Sequence, residues 1–158
     1  MNGLIRLAYC VAAVLRRVYG FAFYPTTVGC MVLVRFADEL VILKTSYSRF
    51  LNVPGGTVER GETPRAAAAR ELEEEVGIRV APECLQALGQ LICHHSFIED
   101  HVHFFELRLD AAPALRVDLR EILWAELRAE DSLEMHQLRP PLGEMLRGAN
   151  LALRGQRL

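Results

Sequence analysis

Two kinds of apolar spacing recur along the chain. Residues 27–36, TVGCMVLVRF, are rich in β-branched side chains, Val28, Val32 and Val34 among them, and predict a strand. Residues 40–47, LVILKTSY, predict a second, and the short polar break Ala37-Asp38-Glu39 between them predicts a hairpin. Residues 83–97, 101–109 and 121–127 (ECLQALGQLICHHSF, HVHFFELRL and EILWAEL) read as further strands. The 65–76 stretch, RAAAARELEEEV, is made of good helix formers. Thr63 is a suitable N-cap for it, Pro64 falls at the first helical position, and Gly77 stands where a helix usually stops. LRPPLGEMLRGANLAL, residues 138–153, predicts a closing helix after its proline pair. Between 49 and 64, Pro54, Gly55, Gly56 and Gly61 mark a loop. Helices before, between and after strands predict an α/β or α+β domain with a mixed sheet between helices.

The first 24 residues repeat a different pattern. Leu4, Leu7, Ala8, Val11, Val14, Leu15 and Val18 share one face of a helical wheel, with Arg6, Arg16 and Arg17 off it. An amphipathic helix over 1–24 is therefore expected ahead of one globular domain over 25–158. The unbroken apolar run at 7–15 is too short to span a bilayer, and the arginine pair after it is no signal-peptide cleavage region. The helix is expected to pack on its own domain or on a second copy in a homodimer. The alternative is an anionic membrane surface.

The acidic end of the 65–76 helix is harder to explain by stability. Arg70, Glu71, Glu73, Glu74 and Glu75 surround Leu72. Carboxylates in a last turn face the negative end of the helix dipole. With Glu71 at zero, Glu75 falls at about 40° and Glu74 at about −60°, at roughly 100° per residue. Each like-charged pair costs a few tenths of a kcal/mol. A hard divalent cation would reverse that sign, because Mg²⁺ and Mn²⁺ take carboxylate oxygens. Ala67 and Ala68, one turn earlier on the same arc, are expected to leave room beside such an ion. Taken alone, the helix is equally a solvated acidic face.

The preceding loop changes the balance. From Gly56 the chain runs G-x5-E-x7-R-E-L-x-E-E-x-G-I, through Glu62, Arg70, Glu71, Leu72, Glu74, Glu75 and Gly77 to Ile78. This resembles the Nudix hydrolase signature at every defined position. The resemblance implies an α/β/α sandwich with a mixed sheet. It also implies a divalent-metal-dependent hydrolase that cleaves a diphosphate linkage, with a nucleoside diphosphate joined to another moiety as the default small-molecule substrate. It implies Mg²⁺ or Mn²⁺ held by Glu71, Glu74 and Glu75 with the Gly55 carbonyl, and an Arg70–Glu62 pair joining loop to helix. Leu72 and Ile78 are core anchors by periodicity as well. Glu71 and Glu75, at i and i+4, are the expected metal ligands, and Glu74 the expected base or second-metal ligand. Glu121 or Glu99 is the alternative base from a distant loop. The extra marks of the ADP-ribose, dinucleoside polyphosphate and coenzyme A subclasses are absent, so the substrate stays open.

Composition narrows the rest. The chain has 158 residues, 51% hydrophobic and 24% charged, the ordinary globular balance. A net charge of −2 gives no broad basic surface, so general nucleic-acid binding is not expected. Cys10, Cys30, Cys84 and Cys93 match no zinc spacing and read as free thiols, which suits a cytoplasmic protein. His101 and His103 alternate on one strand face and, with Tyr47, are candidates for lining the substrate cleft. Two other functions fit: a non-catalytic nucleotide-binding sensor, and a membrane-surface hydrolase of a lipid or prenyl diphosphate.

Overall fold

The long first strand organises the molecule. A computed structural model describes residues 11–12, 14–15, 26–95, 98–117 and 119–155. Strand β1 (Thr26–Phe36) buries both faces, Cys30, Val32 and Val34 on one and Met31 and Leu33 on the other. Along one edge it pairs in parallel with β5 (Ile98–Leu109), from Thr26↔Glu99 to Phe36↔Leu109. Strand β4 (Gln86–His95) then pairs antiparallel with β5 and ends that side of the sheet.

The other edge departs from the expected hairpin. Strand β2 (Glu39–Thr45) meets β1 only at Arg35↔Leu40 and Phe36↔Glu39. It then pairs with β6 (Ile122–Ala129) and the short β3 (Leu51–Asn52). The rest of that edge is taken by the segment expected to be loop. Val32 N–H donates to the Pro54 carbonyl at 2.8 Å, Cys30 N–H to Gly56 at 2.9 Å, and Val58 N–H to Val28 at 2.9 Å. Backbone groups on a buried edge must be paired, and this glycine-containing stretch can lie close enough to pair them.

Helix α1 (Pro64–Val76) covers one sheet face, packing Ala67, Ala68, Leu72 and Val76 against Cys30, Val32, Val41, Leu43 and Phe105. Helix α2 (Pro140–Gly155) covers the other, with Leu142 and Leu146 against Leu33, Leu40, Ile42 and Phe104. The result is the helix–sheet–helix sandwich that the alternating pattern and the signature imply. Thr63 caps α1, its Oγ1 accepting from Ala66 N–H at 3.2 Å. At the other end Gly77, with φ of 74°, turns the chain so that its N–H reaches the Glu73 carbonyl and Ile78 N–H that of Leu72.

Most of the N-terminal amphipathic stretch, including Leu4, Leu7, Ala8 and Val18, lies outside the described residues. Residues 11–12 and 14–15 are helical, and Val11, Val14 and Leu15 are exposed. Among the described residues no helix is long and apolar enough to cross a membrane.

Candidate active site

A cleft of about 730 Å³ opens where β1, the 54–58 segment and the last turns of α1 meet. Glu71, Glu74, Glu75, Arg70, Gly55 and Gly56 all line it. The 54–58 segment, drawn against β1, sets the distance between the loop and the helix. A side chain at Gly55 would overlap the Cys30 carbonyl, and one at Gly56 would overlap the Glu71 carboxylate. The glycine pair is therefore required by close approach on two sides.

The carboxylates are held differently. Glu75 is 8% exposed, and its Oε2 accepts the Gly55 N–H at 2.8 Å. Burial pushes its carboxyl well above the usual range; the Gly55 bond offsets part of this, and the charges of Glu71, Glu121 and Glu74 add to it. Glu71 is raised for the same leading reason, burial, with Arg70 opposing and Glu74 and Glu121 adding. The Glu74 side chain is 59% exposed. Arg70 joins two of them, Glu71 and Glu74, to the loop. It donates to both Glu62 oxygens at 3.2 Å, to Glu71 Oε1 at 2.9 Å, to Glu74 Oε2 at 3.2 Å and to the Thr57 carbonyl at 3.2 Å. The expected Arg70–Glu62 staple is present, and it reaches two of the expected metal ligands as well.

One expectation is corrected here. Ala67 and Ala68 make no room beside an ion, because both are fully buried against the sheet. The carboxylates share one end of α1, yet among the described residues no three acidic, histidine or cysteine side chains converge as a metal-holding group. Arg70 draws Glu71 and Glu74, while the Gly55 amide holds Glu75. The donor set still suits a hard divalent cation. Its oxygens are carboxylate, two of the three groups are shielded from water, and their mutual charge raises their affinity for protons.

The other anticipated residues divide. Tyr47 and Glu121 line the cleft and are joined, Tyr47 Oη donating to Glu121 Oε1 at 2.7 Å. Ser46 N–H also donates to the Glu121 carbonyl at 2.8 Å, which ties the two loops together. His101, His103 and Glu99 do not line it. Val102 and Phe104 face α2, so the alternate residues His101 and His103 face the α1 side. There His101 Nε2 meets Glu99 Oε1 at 2.8 Å and its Nδ1 meets Gln90 Nε2 at 3.0 Å. Alternation puts both histidines on one face of β5, whereas the cleft meets β5 at its other face, through Asp100 and Val102.

Asp100 occupies the place expected of the histidines. It is buried, lines the cleft, accepts from Thr27 Oγ1 at 2.8 Å and lies 3.9 Å from Arg139. Thr45, Arg49, Phe50, Asn52 and Arg139 complete that wall. A usable signal was present for Asp100, which interrupts the apolar alternation of Ile98, Val102 and Phe104. Cys30 also lines the cleft, and burial pushes its thiol up to about 11, so it stays protonated near neutral pH.

A NUDIX domain model matches residues 23–147. The chain belongs to the Nudix family. Over 28 residues this Nudix chain is 64% identical to an 8-oxo-dGTP diphosphatase of Escherichia coli (strain K12), covering 18% of this chain and 22% of that one. Over 32 residues it is 56% identical to an 8-oxo-dGTP diphosphatase of Haemophilus influenzae, covering 20% and 24%. The chain thus spans about a quarter of the length of the curated relatives it matches. Its Nudix fold is similar to that in a C. elegans Ap4A hydrolase binary complex, with a TM-score of 0.66, 21% identity, and 82% of this chain and 98% of that one covered.

Proposed function

We propose that the protein is a divalent-metal-dependent pyrophosphohydrolase acting on a small molecule that carries a diphosphate linkage, with a nucleotide as the substrate class. The observation that carries this is the union of loop and helix at the cleft: Glu75 on the Gly55 amide, Arg70 on Glu62, and Glu71 packed under Gly56. The names of the two short matches, both 8-oxo-dGTP diphosphatases, support the nucleotide class. Glu71 and Glu75, with the Gly55 carbonyl, would hold Mg²⁺ or Mn²⁺. When bound, such an ion neutralises phosphate oxygens and acidifies a water. Glu74, the most exposed of the three, would take a proton from an attacking water. Glu121 is the second candidate for that role, because it shares the cleft and its charge acts on both Glu71 and Glu75. Arg70 positions Glu71 and Glu74 and holds the loop.

The free thiols of Cys30, Cys84 and Cys93 accord with a reducing cytoplasm. The test is a screen of nucleotide and non-nucleotide diphosphates with Mg²⁺ and with Mn²⁺, reading released phosphate or pyrophosphate. Metal-dependent turnover of a nucleotide supports the reading. Nucleotide binding without turnover of any member of the screen would favour the sensor alternative.

A further inference from the structure

The cleft wall beyond the carboxylates holds polar atoms that the fold does not satisfy. Thr45 is 4% exposed and Asn52 8% exposed. Both line the cleft, yet Thr45 Oγ1 and Asn52 Oδ1 have no hydrogen-bond partner among the described residues. Ser46 Oγ is unpaired too, but Ser46 does not line the cleft. Burying a polar group without a partner destabilises a protein, so each such group calls for a reason.

Their placement supplies one. Asn52 on β3 is in register with Leu43 on β2, and Leu43 and Thr45 share a strand face. Thr45 and Asn52 are therefore diagonal neighbours on the face that α1 covers, about 7–8 Å apart. Asn52 also lies three residues before Gly55, whose amide holds Glu75. Thr45 and Asn52 thus sit on the same side of the sheet as the carboxylates, in the wall of the same cleft.

We propose that Thr45 and Asn52 form a hydrogen-bonding subsite for the non-phosphate part of the substrate, where they accept from an N–H or O–H donor on it. This rests on the reading of the cleft as a diphosphate site and adds what selects among diphosphates. An amide oxygen is an acceptor and a threonine hydroxyl can accept. The chemistry they match is a donor on a nucleobase edge or on the sugar. A site built to bond such a donor discriminates against the analogue lacking it, because its own polar groups are then left unpaired.

The test measures binding rather than turnover, so it stands apart from the hydrolysis reading. Calorimetry compares guanosine with inosine diphosphate, adenosine with purine-riboside diphosphate, and ribo- with 2′-deoxyribonucleotides. Each is run on the wild type, Thr45→Val and Asn52→Leu. The wild type should favour the donor-bearing member of at least one pair by about tenfold, the size of one hydrogen bond. Loss of that preference in both variants supports the subsite, and the pair affected tells base from sugar. Thr45→Val is nearly isosteric, so it should also leave the melting temperature of the free protein unchanged or raised. No preference in the wild type, or preferences unaltered in folded variants, overturns the proposal. So does a lower melting temperature in Thr45→Val with unchanged binding, which would make the hydroxyl a structural group. Selective binding with no hydrolysis would leave this inference standing and remove the enzymatic one.

Discussion

Neighbouring glycines in the cleft serve different contacts, and substitution should separate them. A methyl at Gly55 meets backbone, the Cys30 carbonyl, which cannot move without breaking the pairing of the 54–58 segment with β1. Gly55→Ala should therefore cost at least about 1–3 kcal/mol. A methyl at Gly56 meets first the end of the Glu71 side chain, which can turn away. Gly56→Ala should cost less than about 1 kcal/mol and yet lower activity about 10–100-fold, a range borrowed from disturbed metal-ligand support. Urea unfolding and steady-state rates on the two variants check both halves. Equal losses of stability would show that the two contacts are alike. At this scale the sequence was informative wherever a residue's chemistry was unusual for its place. The crowded glutamates and the paired glycines could be read directly. The role of Arg70 in holding Glu71 and Glu74 as well as Glu62 could not, because it depends on side-chain geometry. Alternation alone does not separate Asp100 from its histidine neighbours, because it tells which residues share a face, not which face meets the cleft.

The box helix and its loop behave as one element. Thr63 caps the helix, and Arg70 ties its middle to Glu62 and the Thr57 carbonyl. Thr63→Ala should lower stability by about 1 kcal/mol, measured by urea unfolding, with metal affinity unchanged because the cap lies at the far end from the carboxylates. The hydrogen bonds from Arg70 hold the Glu62 carboxyl below its ordinary range. A pKa lowered on folding stabilises the folded state above the unfolded pKa, and that contribution is lost as pH falls through the lowered folded value. The gap in melting temperature between wild type and Arg70→Gln should therefore be full near neutrality and shrink below about pH 4. A gap independent of pH would place the effect of Arg70 elsewhere. The elements themselves followed from periodicity and caps, and the box helix runs where Thr63, Pro64 and Gly77 put it. Their pairing was less legible. Strand runs at 27–36 and 40–47 with a short break between them predict a full hairpin, yet β2 leaves β1 after its tip. Parallel pairing of β1 with β5 joins segments far apart in sequence, and no local pattern reports it. The extended 54–58 segment was hidden because proline and glycine usually announce a loop, and here they permit backbone to lie against backbone.

Across the whole molecule, two buried faces support a site that is unfavourable on its own. Leu72 anchors α1 in the core, and Leu72→Ala should cost about 2–5 kcal/mol through lost burial and the cavity left. Glu71, Glu74 and Glu75 instead crowd charge at the helix end without contributing to the core in proportion. A divalent cation that binds the folded state alone stabilises it by mass action, about 2.7 kcal/mol at a hundred times its dissociation constant. Metal should therefore raise the melting temperature of the wild type. The measurement that bears most directly on this account is a calorimetric titration of Mg²⁺ and Mn²⁺ into the wild type and Glu75→Gln, paired with nucleotide hydrolysis by the same preparations. A glutamine can still accept from the Gly55 amide, so the fold should be kept, with metal-free stability equal or a few tenths of a kcal/mol higher. Metal affinity should fall, the metal-induced rise in melting temperature should shrink, and hydrolysis should drop by at least about 100-fold. If Glu75→Gln binds metal and hydrolyses nucleotide as the wild type does, Glu75 is not a metal ligand, and the assignment of the metal to this buried carboxylate is wrong.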